Sequence, residues 1–328
     1  MLDQKKIDAA IKRVNKDHHA NFVGPEPDPR NVVDDNAGAL SYLAGTIEEG
    51  VEGYIDALFA VDRCRPQSRY IVSHQQQGDV AGMQLYLGFW ASCAMMWQHL
   101  ARVTLEKTGF VNVFASFYDL GRANLAIIDA GYSDHAAEFG RTVSTHYNHL
   151  VSGTGSEPGP FDKDNISSFL LLPDKWQPVN SAFKLDPYLT RHGYELYAQL
   201  ANIWDRPGPN DVQNTMQALR ERRVALACMT HSQQDKALES APHYWLFYDP
   251  FLHAVNMRRI ELKLEPVAYK SYIQGVELPL EKLPFALGDI LHPAYVKACA
   301  ELDETPIDFG TTVPVTQASE NGMLTRAT

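Results

Sequence analysis

The chain has 328 residues, 45% of them hydrophobic and 21% charged, a composition that excludes a wholly disordered protein and allows a sizeable core. Its 29 basic and 40 acidic residues give a formal net charge of -11. Nucleic acid and anionic membranes are therefore excluded as expected partners, because both would repel an acidic protein, whereas a basic protein would be attracted.

The first half of the chain carries a series of helical patterns separated by turn residues. Prolines and a glycine at 24–36 predict a loop. Gly109 and Gly131 are expected to end helices, because glycine readily adopts the left-handed conformation that follows a helix, and Ser133 is a candidate N-cap. The spacing of apolar residues predicts helices over 3–17, 36–61, 78–107, 119–130 and 133–150.

The second half begins with irregular stretches and then returns to helical patterns. Residues 152–165 are rich in Gly, Ser, Pro and Asp, and residues 172–187 contain three prolines, so both are predicted to be loops. Asn210 or Asp211 is expected to cap the helix that begins there. The predicted helices are 188–204, 211–231, 243–264 and 293–302.

These elements predict an all-α fold. No alternating strand pattern recurs at regular spacing, and the helices come in pairs joined by short breaks, which favours antiparallel helical hairpins packed as a bundle or a short solenoid-like array. We expect an N-terminal helical half at 1–165 and a C-terminal helical half at 166–302, together forming one continuous domain. Residues 303–328 are expected to form an extended or mobile tail.

Cysteine usage and the N-terminus predict a cytoplasmic protein. The N-terminus leads into a charged amphipathic stretch without the apolar region of a signal peptide. The most apolar long window, 85–105, contains Gln98, His99 and Arg102, so it is interpreted as a buried helix rather than a membrane span. The cysteines form no CxxC pair and are typical of reduced thiols: Cys64, Cys93, Cys228 and Cys299.

Histidines are the candidate metal and haem ligands. His146 and His149 lie three residues apart on one predicted helix face, a spacing that could serve zinc or iron, with Glu138 two turns earlier. No Glu-x-x-His pair of a carboxylate-bridged di-iron bundle occurs. His99 and His253 stand in apolar helical patterns and are conceivable haem ligands. For all four, a structural role is the favoured interpretation.

Acidic residues are concentrated near the N-terminus. Residues 26–62 contain nine acids and one base, Arg30. Within the second predicted helix, Glu48, Glu52 and Asp56 recur every four residues and line one stripe. Such a stripe is either a solvated face or a docking surface for a basic partner. The candidate partner-binding residues are Glu48, Glu49, Glu52 and Asp56.

Three features occur in order between residues 85 and 283. They are a helix of small and apolar residues at 120–131, an Ala- and Leu-rich helix at 218–231, and a closing helix at 248–259 followed by 278–283. In this order they resemble helical immunity proteins that protect bacteria from their own polymorphic and contact-delivered toxins, in particular the immunity-protein-forty-nine family. Glu277-Leu278-Pro279 stands where that family would have Tyr-Leu-Pro. The resemblance implies a helical protein that binds and blocks a cognate toxin, without catalytic residues or a cofactor.

The leading hypothesis is therefore an immunity protein that neutralises a toxin, such as a basic nuclease, through its acidic surface. The alternative is a haem-dependent or non-haem-iron-dependent enzyme of secondary metabolism, with His146 and His149, or His253, as ligands. It is motivated by the twelve histidines and many aromatic residues. A helical-repeat scaffold for another protein partner is the third hypothesis.

Overall fold

The computed structural model describes residues 3–21, 71, 75, 78–108, 124–138, 195–236, 243–272, 277–288, 291–310 and 312–315. Helices dominate these residues, which confirms the prediction of a predominantly helical protein. The hairpin bundle or solenoid-like array and the division at residues 165 and 302 stay predictions. No helix within the described ranges has the length and apolar character needed to cross a membrane.

Most of the predicted helices that fall within the described residues lie near their predicted positions, whereas the predicted helix over 36–61 lies outside the described residues. The described residues form seven α-helices, numbered α1 to α7, and one 3-10 helix, His243–Leu246. They also form two short helical segments, 124–129 and 133–138. The strands are β1, Phe285–Gly288, and β2, Thr312–Val315. The labelled helices are α1 (Gln4–Asn21), α2 (Val80–Thr108), α3 (Glu195–Ala201), α4 (Pro209–Ala227), α5 (His231–Lys236), α6 (Pro250–Glu261) and α7 (Leu291–Glu301).

The described residues fall into two compact units that interleave along the sequence. The first unit contains the described residues of 3–21, 71–84 and 195–281. The second unit contains those of 85–138 and 282–315. Each unit thus combines segments that are far apart in sequence.

The predicted helix over 243–264 is confirmed from Pro250 to Glu261 but is wrong before it, because the chain breaks at Asp249 and Pro250. A 3-10 helix ends at Leu246, and α6 begins at Pro250. Proline lacks the N–H group that a helix interior needs but fits the first turn, where that group has no partner. Asp249 is the N-cap, and its Oδ1 accepts from the N–H of Leu252 at 3.3 Å.

The other carboxylate oxygen of Asp249 binds a cation in the core of the first unit. Arg223 in α4 donates from Nε to Oδ2 at 2.7 Å and from Nη1 to the hydroxyl of Tyr197 at 2.8 Å. Its guanidinium lies 3.4 Å from the ring centroid of Trp245. Arg223 and the Asp249 side chain are both fully buried. The pair therefore joins α3, α4 and the start of α6.

A second arginine of α4 caps the C-terminal end of the 3-10 helix. Arg220 donates to the carbonyl oxygens of Trp245 and Leu246, which lie at the C-terminal end of that helix, where carbonyls have no helical partner. Arg220 also lies 3.6 Å from the Asp249 carboxylate. Burial lowers the pKa of Arg220, and the neighbouring Asp249 opposes this effect. One carboxylate thus faces two buried guanidinium groups.

Polar side chains of α6 hold the segment that follows it. Asn256 donates to the carbonyl oxygen of Val267 at 2.9 Å and accepts from the Val267 N–H at 2.8 Å. Arg259 donates to the carbonyl oxygens of Trp204, Arg206 and Glu265. Both side chains are buried, so these bonds satisfy backbone groups that water cannot reach.

The expected caps of two other helices are wrong. Helix α4 begins at Pro209, and its N-cap is Gly208, which makes no side-chain cap bond, so neither Asn210 nor Asp211 caps it. The Ser133 hydroxyl has no hydrogen-bond partner among the described residues. Gly131 does end the 124–129 segment as predicted: its φ is 86°, and the N–H groups of Gly131 and Tyr132 bond back to Ile128 and Ile127.

The second unit contains a β–α–β element that the sequence patterns did not indicate. Strands β1 and β2 pair in parallel, from Phe285 opposite Thr312 to Gly288 opposite Val315, and α7 lies between them in sequence. Parallel strands need such a crossover connection. Each strand has four residues, too few for an alternating pattern to stand out, and Pro314 within β2 argues against a strand in the sequence.

Replacing Asp249 tests the buried ion pair. Asp249→Ala is expected to lower the free energy of unfolding by about 3–5 kcal/mol, because it leaves buried guanidinium groups without their carboxylate and removes the N-cap of α6. Asp249→Asn should cost less, since its amide oxygen can still cap the helix. Urea unfolding followed by circular dichroism measures both. Asp211→Ala, at an exposed site, is the control, and a loss at Asp249 no larger than at Asp211 would contradict the assignment.

Replacing Gly88 tests the close approach of α2 to the segment before β1. A Cβ atom at Gly88 would lie 2.2 Å from the carbonyl oxygen of Pro284, so Gly88→Ala must displace backbone. We expect a loss of about 1–3 kcal/mol in the free energy of unfolding. Gly208→Ser is the matched control, because nothing lies within 4 Å of a Cβ there. Equal thermal stability of both variants would show that the approach is not tight.

Candidate functional site

A cavity of about 310 Å³ lies in the second unit. Three segments line it: α2, the helical segment 133–138 and the residues that follow α7. Most of its lining side chains are polar, in contrast to the apolar core around them. The lining residues are Met95, Gln98, His99, Arg102, His135, Glu138, Thr305, Ile307 and Asp308.

Helix geometry explains why four lining residues come from α2. Met95, Gln98, His99 and Arg102 occupy positions i, i+3, i+4 and i+7, which share one face of an α-helix. The other described side chains from Leu85 to Val103 are mostly apolar and buried. The polar residues that argued against a membrane span are thus the ones that face the cavity.

The ring of His99 is fixed by a tyrosine of α7. His99 Nδ1 lies 2.5 Å from the hydroxyl oxygen of Tyr295, and that oxygen accepts from the N–H of Ile307 at 2.9 Å. Because the hydroxyl oxygen already accepts from Ile307, the hydroxyl hydrogen of Tyr295 is available to donate. We therefore assign the Tyr295 hydroxyl as the donor to His99 Nδ1, and this assignment places the proton of the neutral imidazole on Nε2.

Burial keeps both partners of this bond uncharged near neutral pH. Desolvation lowers the pKa of His99 and Arg102 lowers it further, whereas Glu304, Glu138 and Glu106 oppose the shift. Desolvation also raises the pKa of Tyr295 above its usual range. A neutral imidazole and a neutral phenol thus meet at the wall of the cavity.

Two buried side chains each turn one polar atom toward the cavity. His99 is 7% exposed, and within the described ranges nothing bonds its Nε2, on the ring side opposite Nδ1. Gln98 is 4% exposed, and its Nε2 donates to Asn124 Oδ1. No described group donates to Gln98 Oε1. The lining therefore offers one N–H donor and one carbonyl acceptor.

The rim of the cavity carries more negative than positive charge. Arg102 is paired with Glu106, with 3.2 Å between Nη1 and the carboxylate. Glu138 and Asp308 are exposed and form no ion pair among the described residues, although Asp308 accepts from the N–H of Gly310 at 2.8 Å. Desolvation lowers the pKa of His135, against the influence of Glu138 and Asp134, so its imidazole adds no charge at neutral pH. The excess charge at the rim is negative.

The predicted site residues have different outcomes. The four acids Glu48, Glu49, Glu52 and Asp56 and the pair His146 and His149 lie outside the described residues, so these predictions stay open. His253 lies in α6 of the first unit, 4% exposed, with its ring 5.8 Å from that of Tyr248. His99 is the one predicted haem candidate that lines the cavity.

The iron-dependent alternative gains no ligand set from the described residues. No group of three or more His, Cys, Asp or Glu side chains in this part of the chain could hold a metal ion. Cys299 lies beside the site, with Sγ 3.9 Å from His99 Nδ1, and burial raises the pKa of its thiol. Haem or iron as a cofactor stays a prediction.

The sequence patterns indicate only the part of the cavity lining that α2 contributes. His135, Thr305 and Asp308 come from segments far from α2 in sequence, and only the fold brings them together. The available signal was the polar set Gln98, His99 and Arg102 inside an otherwise apolar helix. A buried polar stripe on one helix face indicates either a hydrogen-bonded core or a site, and here it is both.

The pH dependence of stability tests the state of His99. Because its pKa is lowered in the folded protein, the unfolded chain binds the proton better, and stability falls as the pH drops below about 6.5. When the pH drops from about 7.5 to about 5.5, the free energy of unfolding should fall for both proteins. The fall should be up to about 1.4 kcal/mol larger for the unsubstituted chain than for His99→Gln. His135→Gln should change this difference in the same direction, because desolvation also lowers the pKa of that imidazole. Identical pH profiles for the His99 variant and the unsubstituted chain would contradict this.

Comparison with known proteins assigns no family. No protein-family model, no curated protein and no solved structure matches the chain. The resemblance to immunity proteins therefore rests on its three sequence features alone.

Proposed function

We propose that the chain is an immunity protein that binds a cognate bacterial toxin and neutralises it. The observation that carries this proposal is the concentration of charge in residues 26–62, where nine acids accompany one base. The order of the three features between residues 85 and 283 supports it. The helical architecture is the one that the resemblance implies.

The charge distribution favours a basic partner. Residues 26–62 account for eight of the eleven net negative charges. A field of one sign raises the rate at which an oppositely charged protein arrives, and it orients that protein before contact. A nuclease fits this chemistry, because its substrate site attracts phosphates and would also attract carboxylates. Blocking that site with acidic side chains would stop cleavage of nucleic acid.

The acidic stripe of the second predicted helix supplies the contact residues. Acids four residues apart repel one another within an isolated helix, which costs a few tenths of a kcal/mol per pair. A cationic partner would remove that cost on binding. The contact residues proposed are Glu48, Glu49, Glu52 and Asp56.

Affinity capture with charge-reversed variants tests the proposal. The tagged chain is used to capture proteins from its native host, and the partner is then expressed alone and with the chain. We expect a near-stoichiometric partner that kills cells alone and spares them when the chain is present. Reversing four acids should raise the Kd by roughly 100-fold or more, since unpairing an interface charge costs about 2–5 kcal/mol. This variant is Glu48→Lys, Glu49→Lys, Glu52→Lys and Asp56→Lys.

A matched control separates a local contact from the effect of net charge. It reverses four exposed acids of the first unit, so it changes the net charge by the same amount. Its Kd should stay within about threefold of that of the unsubstituted chain, apart from weaker long-range steering. Equal losses in both variants would refute the contact residues, and a captured partner that is harmless alone would refute the immunity function. The control is Asp8→Lys, Glu195→Lys, Asp211→Lys and Glu277→Lys.

A further inference from the structure

We propose that the cavity of the second unit is a binding site for a small amino alcohol, a compound with an ammonium group at one end and a hydroxyl group at the other. None of the described lining residues belongs to the acidic segment at 26–62, and the ligand does not depend on a toxin partner. The proposal rests on the hydrogen-bonding atoms of the cavity wall, on the charge of its rim and on its volume.

The wall of the cavity matches a hydroxyl group. His99 presents Nε2–H as a donor, because Tyr295 occupies Nδ1, and Gln98 presents Oε1 as an acceptor. Both side chains are more than nine-tenths buried and line the cavity, so a ligand in the cavity can supply the hydrogen-bond partner of each remaining polar atom. A hydroxyl group accepts one hydrogen bond and donates another, so a single hydroxyl can satisfy both residues.

The rim of the cavity matches an ammonium group. The carboxylates of Glu138 and Asp308 line it without an ion pair within the described part of the chain, whereas Arg102 is already paired with Glu106. His135 adds no positive charge at neutral pH, since burial lowers its pKa. A cation is therefore attracted to the rim, and an anion would meet two carboxylates.

The volume limits the length of the ligand. About 310 Å³ lies at the lower end of the range for small-molecule pockets. Met95 and Ile307 supply the apolar surface of the lining. A short alkyl chain that joins the hydroxyl to the ammonium group would contact these two side chains.

Calorimetric titration of the full chain with four matched compounds tests the ligand chemistry. Aminohexanol carries both groups, hexylamine lacks the hydroxyl, hexanol lacks the amine, and hydroxyhexanoate replaces the cation by an anion. We expect aminohexanol to bind at least about tenfold more tightly than the other three and to weaken as salt is added. Tighter binding of hydroxyhexanoate would overturn the proposal, as would no binding of aminohexanol at about 10 mM.

Variants locate the binding at the cavity. Glu138→Gln and Asp308→Asn should each weaken aminohexanol binding about three- to tenfold, because both are exposed charges whose attraction is partly screened. Asp303→Asn, at an exposed site outside the lining, should leave the Kd unchanged. In addition, aminohexanol should shift the NMR signals of the His99 ring more than hexylamine does. Equal Kd values for all three variants, or equal shifts with both amines, would refute the assignment.

Discussion

The carboxylate of Asp249 both caps the start of α6 and pairs with a buried arginine, and the packing of the first unit depends on these two interactions. Its Oδ1 caps α6 and its Oδ2 binds Arg223, which in turn contacts Tyr197 and Trp245. A charge that leaves water is tolerated only where partners replace its hydration, so α3, α4 and α6 can pack only in the arrangement that brings these groups together. Buried uncharged groups also need hydrogen-bond partners, and in the second unit Tyr295 holds the ring of His99 while its hydroxyl oxygen accepts from the Ile307 N–H.

At the cavity, some polar atoms of buried side chains have no hydrogen-bond partner among the described residues. Gln98 and His99 each use one polar atom inside the protein and turn the other toward the cavity. Fixing one nitrogen of an imidazole determines what the other can do, so Tyr295 makes His99 a donor at the wall. An ordered donor and acceptor beside a negative rim favour a ligand with matching groups. The proposed toxin partner would instead use residues 26–62, so either proposal can fail without the other.

Sequence patterns predicted the helices better than they predicted contacts. Spacing of apolar residues placed α1, α2, α4 and α7 within a few residues of their ends, because one helix face must be buried. The break at Pro250 was missed, since the aromatic run before it continues a helical spacing, although proline after aspartate is itself a signal for a helix start. The pair β1 and β2 was missed because four-residue strands depend on tertiary pairing rather than on local pattern. For the cavity, the sequence contained the polar face of α2 but not the partners that the fold brings to it.

The protonation state of the His99 ring is the point on which the geometry of the core and the chemistry of the cavity both depend. Long-range proton–nitrogen NMR correlation of the folded chain near neutral pH reports which ring nitrogen carries the proton, and loss of the signals in His99→Gln assigns them. We predict a proton on Nε2 and an unprotonated Nδ1 that accepts from Tyr295, with Tyr295→Phe weakening this preference. A proton on Nδ1, or a doubly protonated ring, would contradict the assigned hydrogen bond and remove the donor from the cavity wall.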